Sequence, residues 1–320
     1  MPQATDFFIP VVPRISPDVP QARRGTLSWV RERQLLPDET SLDRFASWDL
    51  AELAGRVSPR AVGEDLRTAA DVQSFFFLFD DLFDTPIGDH PGRARVVCDE
   101  FTAVMHHLRP VPTASPPALL HAWADLWSRQ TAGMSRAWRT RAAEVWETYF
   151  AGHVTEARHR LSRRLLGSQE YVLLRRQVVG ADPTLIQCER AGHREIPDAV
   201  FHSTVFRTMR ELTGDVAFLV NDVQSVEKEE RKGELNNLVL IVERERACPR
   251  VTAIEAICDM VRQRIHHFSA LEGELDSLCD RLALPAGECA HVEDFVADAM
   301  WACMRGNYDW GRRTRRYAAR

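Results

Sequence analysis

Residues 199–230, AVFHSTVFRTMRELTGDVAFLVNDVQSVEKEE, decide the fold of this chain. Val205, Met209, Leu212, Val216, Leu219, Val220 and Val223 recur at three- and four-residue intervals and keep one face for roughly five turns, the pattern of an amphipathic α-helix. A second pattern closes the stretch. Asn221, Ser225 and Glu229 repeat at i, i+4, i+8, so an amide oxygen, a hydroxyl and a carboxylate climb one helix face in steps of roughly 6 Å. Similar periodicity marks 71–83, 119–132, 141–166, 252–282 and 292–305, whereas strand-like alternation is scarce. Breaks are expected at 10–20, 85–91, 110–117, 180–183 and 285–287, where proline and glycine gather. Only 110–117 resembles a linker, and the helical pattern resumes at once, so it reads as a loop within one domain spanning 1–320. The expectation is an all-α domain of ten or more helices, with functional side chains projecting from facing helices into a central cavity.

Bulk properties remove other classes. With 320 residues, 45% of them hydrophobic, the chain is long enough to bury a large core. A net charge of −5 argues against a general nucleic-acid binder, whose footprint is basic. The one basic cluster, Arg312-Arg313-Thr314-Arg315-Arg316, lies near the C-terminus. Residues 1–18 lack a basic segment followed by an apolar one, and no uninterrupted apolar run is long enough for a membrane span. Seven scattered cysteines (98, 188, 248, 258, 279, 289, 303), without a C-x-x-C pair, read as reduced thiols rather than a disulfide or zinc framework. The chain is expected in the cytoplasm.

Phe75-Phe76-Phe77-Leu78-Phe79 runs directly into Asp80-Asp81-Leu82-Phe83-Asp84. On one helix Asp80 and Asp84 share a face, with Phe76 and Phe77 one turn below Asp80. One strip thus carries rings below and carboxylates above. Carboxylates at a helix C-terminus oppose the macrodipole, which makes a solvated helix end a poor account of them. Mg²⁺ takes one or two protein carboxylates and leaves its other positions to water and substrate phosphates, so these aspartates read as its seat, with Asp81 or Asp84 as the partner of Asp80. The Asn221–Ser225–Glu229 ladder adds hard oxygens with little extra charge, which suits an ion shared with a diphosphate. Lys228 is placed to reach phosphate oxygens as a point charge. An ordinary polar face ending at Lys232-Gly233 would explain the ladder alone.

With both clusters in view, the chain resembles bacterial class I terpene synthases (terpene cyclases) of the sesquiterpene type over essentially its whole length. Asp80-Asp81-x-x-Asp84 resembles the family's aspartate-rich motif, and Asn221-Asp222-x-x-Ser225-x-x-x-Glu229 its second metal motif. Gly233-Glu234-Leu235-Asn236-Asn237-Leu238-Val239 follows as it does in the family. The resemblance implies the α-helical isoprenoid synthase bundle and a cluster of three Mg²⁺ ions. It also implies a diphosphate-sensing arginine 46 positions before the Asn of the second motif, which selects Arg175 over Arg176. Val178 and Val179 leave no polar linker residue after it, so a backbone carbonyl near Val179 or Gly180 is the remaining effector. Gly306-Asn307-Tyr308-Asp309-Trp310 and Arg316-Tyr317 resemble the family's terminal segment, the last pair hydrogen-bonding diphosphate on closure. Homodimers are common in the family.

The expected reaction is Mg²⁺-dependent ionisation and cyclisation of an acyclic prenyl diphosphate to a cyclic terpene, with farnesyl diphosphate favoured and geranylgeranyl diphosphate, a diterpene synthase's substrate, the alternative. The metal ligands are Asp80, Asp84, Asn221, Ser225 and Glu229; Arg175, Lys228, Arg316 and Tyr317 hold the diphosphate. Rings of Phe76, Phe77, Trp301 and Trp310 face cationic carbons, worth about 0.5–2 kcal/mol each, against a plain packing role for any one of them. A chain-elongating prenyltransferase would carry two aspartate-rich motifs, and the second motif here is of another type. A helical binding protein with a dead metal site would not need the full set of arginines and rings.

Overall fold

The computed structural model describes residues 4–108 and 114–317. Among them are sixteen α-helices and no strand. In chain order they are α1 (Val19–Glu32), α2 (Glu39–Ala46), α3 (Leu50–Val57), α4 (Gly63–Phe83), α5 (Pro91–Met105), α6 (Pro117–Thr131), α7 (Arg136–Ser162) and α8 (Ser168–Val178). Then come α9 (Ala181–Ala191), α10 (Asp198–Phe201), α11 (Thr204–Lys232), α12 (Leu238–Arg246), α13 (Arg250–Glu272), α14 (Leu275–Arg281), α15 (Ala286–Phe295) and α16 (Trp301–Gly311). A π-helical turn, Val296–Met300, joins the last two.

The expected helix over 199–230 is cut at Ser203, whose side chain accepts from the Phe206 N–H and so starts a new helix, α11. From there the apolar stripe is as expected: Met209, Leu212, Val216, Leu219, Val220 and Val223 are all buried. Gly233, at φ 79°, ends the helix in the left-handed conformation that a Cβ disfavours. The expected 252–282 helix is likewise broken, between Glu272 and Leu275. The 71–83 helix begins two turns earlier, at Gly63, and 292–305 belongs to a run from Ala286 to Gly311 that passes through the π turn. Pro183 does not break the chain. It sits in the first turn of α9, where a missing N–H costs nothing, and the break is Gly180, at φ 74°. Of the expected 110–117 loop, residues 110–113 lie outside the described residues, and α6 starts at Pro117.

α11 runs through the middle, packed on α8, α9, α13 and α16, while α4 packs on α1, α3, α6 and α9. The five-residue aromatic run on α4 splits by face. Phe75 stacks on Trp123 at 4.7 Å and Phe79 lies edge-on to Phe101 at 5.0 Å, filling the space toward α5, α6 and α7. Phe76 and Phe77 turn the other way, into a hollow between α4 and α11. Among the described residues no helix is long and apolar enough to cross a membrane, and all seven cysteines are free.

Candidate active site

The hollow is walled by α3, α4, α7, the α8–α9 junction, α11 and α16, and encloses about 190 Å³ that the centre of a water molecule can reach. α4 supplies Gln73, Phe76, Phe77 and Asp80 in ascending order, α16 supplies Cys303, Asn307 and Trp310, and Arg316 and Tyr317 close the top. A polar antechamber shares Asp80, Arg175, Lys228, Glu229 and Arg316 with it and adds Asp84, Glu156, Arg160 and Lys232. Residues far apart in sequence thus meet at one mouth.

Helical geometry explains the rings. Phe76 lies flat against Trp146 at 5.0 Å and edge-on to Tyr149 at 5.2 Å, so its position is fixed from two sides. Phe77 meets the edge of Trp310 at 5.5 Å. The Trp310 N–H donates to the Trp48 carbonyl at 2.8 Å, which locks the indole in place. Trp301 is not part of this wall. It packs edge-on to Phe268 at 4.8 Å, donates to Glu272, and lines a separate cleft with Val11 and Arg14.

The polar groups are joined by hydrogen bonds. Arg175 Nη2 donates to Asn221 Oδ1 at 3.2 Å and lies 3.4 Å from Asp222 Oδ1. Asn221 Nδ2 in turn donates to the Tyr317 hydroxyl at 2.5 Å. Asp222, fully buried, accepts from the Tyr171 hydroxyl and the Leu238 N–H, so it anchors the sensor arginine rather than facing the hollow. Glu229 accepts from Asn237 at 2.9 Å. Ser225 is buried, and its hydroxyl donates to the Asn221 carbonyl, leaving its oxygen lone pairs unused by any described residue. Arg176 points elsewhere, clamped by Asp215 and Glu211 outside the hollow. Of the pair, Arg175 lines the hollow and Arg176 does not.

Arg316 grips Asp81 through two hydrogen bonds, 2.6 and 3.2 Å, with Asp80 at 3.9 Å. Its guanidinium lies over the Trp48 ring at 4.2 Å and the Phe77 ring at 5.3 Å. Asp84 stands at the rim, paired with Lys232 at 2.7 Å. Surrounding protein desolvates Asp80 and raises its pKa, opposed by His153 and Arg316. Lys228 is pulled down to about 8 by desolvation, with Arg316 and Lys232 adding repulsion. Burial opposes charge on Arg175, yet Tyr171, Asp222, Glu156 and Glu229 outweigh it and hold the guanidinium firmly protonated. Its Nε has no partner among the described residues. A half-buried guanidinium with a spare donor and a desolvated lysine lining the same mouth form a setting that gains by receiving an anion.

The donor set also fits a hard cation. Asp80, Asp84, Asn221, Ser225 and Glu229 offer oxygen only, the ligand type of Mg²⁺ rather than Zn²⁺. Among the described residues no group of three or more His, Cys, Asp or Glu is placed to hold a metal unaided.

Sequence reading missed the groups that steady the mouth: Tyr149, His153, Glu156 and Arg160 on α7, and Asn237 after α11. The α7 set sits at helical spacing, with His153 stacked on Phe83 at 4.6 Å, 3.4 Å from Glu156, and Arg160 donating to the Phe83 carbonyl. That spacing was the available signal.

An all-α bundle with oxygen donors and diphosphate-type cations over a ring-lined hollow defines a metal-dependent enzyme of isoprenoid chemistry. Residues 71–267 match the family described as "Terpene synthase family 2, C-terminal metal binding". The chain is 41% identical to a pentalenene synthase of Streptomyces avermitilis, covering 100% of this chain and 94% of that protein. It is 40% identical to a (−)-beta-caryophyllene synthase of Saccharothrix espanaensis, described as cyclising (2E,6E)-farnesyl diphosphate, over 99% of this chain and 90% of that one. The crystal structure of germacradien-4-ol synthase from Streptomyces citricolor superposes with a TM-score of 0.86 at 33% identity, covering 98% of this chain and 100% of that one. The chain belongs to the terpene synthase family, whose members are divalent-metal-binding lyases acting on prenyl diphosphates.

Proposed function

We propose that residues 1–320 form one catalytic domain that ionises farnesyl diphosphate and cyclises the resulting cation to a sesquiterpene. The observation carrying this reading is the convergence of Arg175, Lys228, Arg316 and Tyr317 with the oxygen donors Asp80, Asp84, Asn221 and Glu229 at the mouth of one aromatic hollow, with Ser225 buried one turn along from Asn221. The farnesyl choice rests on the caryophyllene synthase relative, described as cyclising that substrate. Nothing favours the longer geranylgeranyl chain, and the Asn/Ser/Glu second motif disfavours chain elongation.

In this reading Asp80 and Asp84 on one wall, and Asn221, Ser225 and Glu229 on the other, hold a cluster of three Mg²⁺ ions. Bound Mg²⁺ supplies Lewis-acid charge at the diphosphate oxygens. Arg175, Lys228, Arg316 and Tyr317 bind the same oxygens and favour the charge that builds as the carbon–oxygen bond breaks. Tyr317 and Arg316 cap the hollow, which excludes bulk water from the allylic cation. Phe76, Phe77 and Trp310 hold the chain folded and face its positive carbons.

Incubation with Mg²⁺ and farnesyl, geranylgeranyl or geranyl diphosphate in parallel, followed by gas chromatography–mass spectrometry, tests the reading. A cyclic C15 product from farnesyl diphosphate supports it; diphosphate release with only longer or linear products overturns it.

A further inference from the structure

One polar pair has no part in the chemistry above. Gln73 is seven residues before Asp80 on α4, so its side chain leaves the same helix face roughly 10 Å further into the hollow. Its Nε2 donates to the Thr184 hydroxyl oxygen at 3.1 Å, across from α4 to α9. Both residues line the hollow and are almost fully buried, at 6% and 7% exposure. Thr184 is held there by its own N–H, which bonds the Gly180 carbonyl at the helix break.

The pair leaves capacity over. Neither Gln73 Oε1 nor the Thr184 hydroxyl proton has a hydrogen-bond partner among the described residues. If the amide is turned round, the spare groups become its N–H and a threonine lone pair, so one donor or acceptor is left unused either way. Buried polar groups of this kind cost free energy unless satisfied, and a single water with two partners satisfies them. Apolar side chains of Leu53, Val57, Phe76 and Ala181 line the same hollow, with Asn307 and Cys303 contributed from α16.

We propose that Gln73 and Thr184 hold one water at the floor of the hollow, and that this water captures the final carbocation, so that the enzyme makes a terpene alcohol. This rests on the farnesyl cyclase reading above. The water oxygen donates a lone pair to the cationic carbon and forms the carbon–oxygen bond. The protonated alcohol keeps its second proton while enclosed and gives it to the departing diphosphate or to bulk water when the cap opens to release product. Held at the floor, the water is kept from the allylic cation formed at the mouth and meets only charge that ring closure has carried inward. Gln73 and Thr184 are therefore positioning residues acting through the water.

The test is the product of the Mg²⁺-loaded full chain with farnesyl diphosphate in H₂¹⁸O, read as the ratio of alcohol to hydrocarbon by mass spectrometry. That ratio does not depend on how fast substrate ionises. Wild type is expected to give an ¹⁸O-labelled alcohol. Gln73→Leu and Thr184→Val are each expected to lower the ratio roughly tenfold, the factor that the loss of one hydrogen bond of about 1.4 kcal/mol produces. Thr184→Ser, which keeps the hydroxyl, is expected to restore it. Should Gln73→Leu not fold, Gln73→Met and Thr184→Val carry the comparison. A wild-type product that is hydrocarbon alone, an unlabelled alcohol, or a ratio unmoved by the folded variants overturns the proposal. Absence of any diphosphate release would instead sink the cyclase reading beneath it.

Discussion

Gly180 is the point where backbone conformation and cavity shape are coupled, and replacing it with alanine tests that coupling. Its φ of 74° is left-handed, which costs a residue with a Cβ roughly 1–2 kcal/mol. A Cβ there would also stand 3.3 Å from Cε1 and 3.4 Å from Cδ1 of Phe76. That ring has little room to yield, because Trp146 lies flat against it at 5.0 Å and Tyr149 meets it edge-on at 5.2 Å. Overpacking of this kind costs about 1–3 kcal/mol, so Gly180→Ala is expected to lose roughly 2–5 kcal/mol in all. Gly133 provides the control: its φ is 78°, but nothing lies within 4 Å of its Cβ position. Gly133→Ala should therefore lose only the backbone term, about 1–2 kcal/mol. For a chain of 320 residues the unfolding entropy is on the order of 0.7 kcal/mol/K, which turns these losses into Tm drops of about 3–7 °C and about 1–3 °C. Calorimetry reads the stabilities and mass spectrometry the products. Arg175 and Thr184 flank Gly180, so its alanine variant should also change product distribution, whereas the Gly133 variant should not. Equal Tm drops with identical products from both variants would refute the coupling.

Other expectations are simpler. Asn221→Ala removes the link between Arg175 and Tyr317 as well as a proposed metal ligand, and should lower kcat/KM by on the order of 10²–10³ with helicity by circular dichroism intact; wild-type turnover would discredit the metal assignment. Magnesium with inorganic pyrophosphate should raise Tm, by an amount equivalent to about 2.7 kcal/mol at a hundredfold excess over Kd, and EDTA should abolish the shift. Lys232→Gln frees Asp84 from an exposed pair worth about 0–1 kcal/mol, so half-saturation by Mg²⁺ should fall by up to roughly fivefold; a rise would mean that Lys232 binds substrate instead. Trp301→Phe should lower Tm slightly and leave the product pattern unchanged, because the indole lies outside the hollow.

What the sequence revealed follows the range of each physical signal. The long stripe on α11 was legible because a buried helix face must repeat at 3.6 residues, and the two motifs were legible because each is local. Arg175 could be chosen over Arg176 only by register against a family, since both carry the same charge; the structure separates them by direction, one toward Asn221 and the other toward Asp215. Short helices such as α2 and α3 escaped notice because eight residues hold too few periods, and their starts depend on Asp38 and Asp49 caps. The break at Ser203 was a capping signal hidden inside a continuous apolar pattern. Trp301 was a ring candidate without a matching family position, and its packing role follows from helix geometry. Nine residues separate it from Trp310, about two and a half turns, so the two indoles leave opposite faces, whereas Cys303, Asn307 and Trp310 share one. Gln73 and Thr184 carry no local signal at all, because their meeting depends on α4 and α9 packing together.

The resting site is already neutralised from within, and the strengths of its internal pairs decide which parts move. Arg175 sits on Asn221 and beside Asp222, Arg316 on Asp81, Lys232 on Asp84. A metal–diphosphate ligand competes with every one of these contacts. Asp222 is buried and its other partners, the Tyr171 hydroxyl and the Leu238 N–H, are neutral, so breaking its contact with Arg175 would leave a buried charge without a counter-charge, a cost of up to about 3–5 kcal/mol. The Lys232–Asp84 pair is more than a third exposed on both sides, and water replaces it for about 1 kcal/mol or less. The Arg175–Asp222 side of the mouth is therefore the fixed anvil, and the rim formed by Asp84 and Lys232 is the part that yields. Arg316 lies between these limits: its guanidinium is buried against Trp48 and Phe77, but its partner Asp81 is a third exposed. It has two aromatic faces to rest on while it exchanges a carboxylate for a phosphate oxygen, so capping need not pass through an unsupported buried charge. A ligand with diphosphate but no metal would meet Arg175 and Lys228 while also adding negative charge beside the carboxylates of Asp80 and Glu229. On the reading proposed above, tight binding is expected to need metal and diphosphate together, with ionisation following the cap's change of partners; weak binding of pyrophosphate without Mg²⁺ is the check.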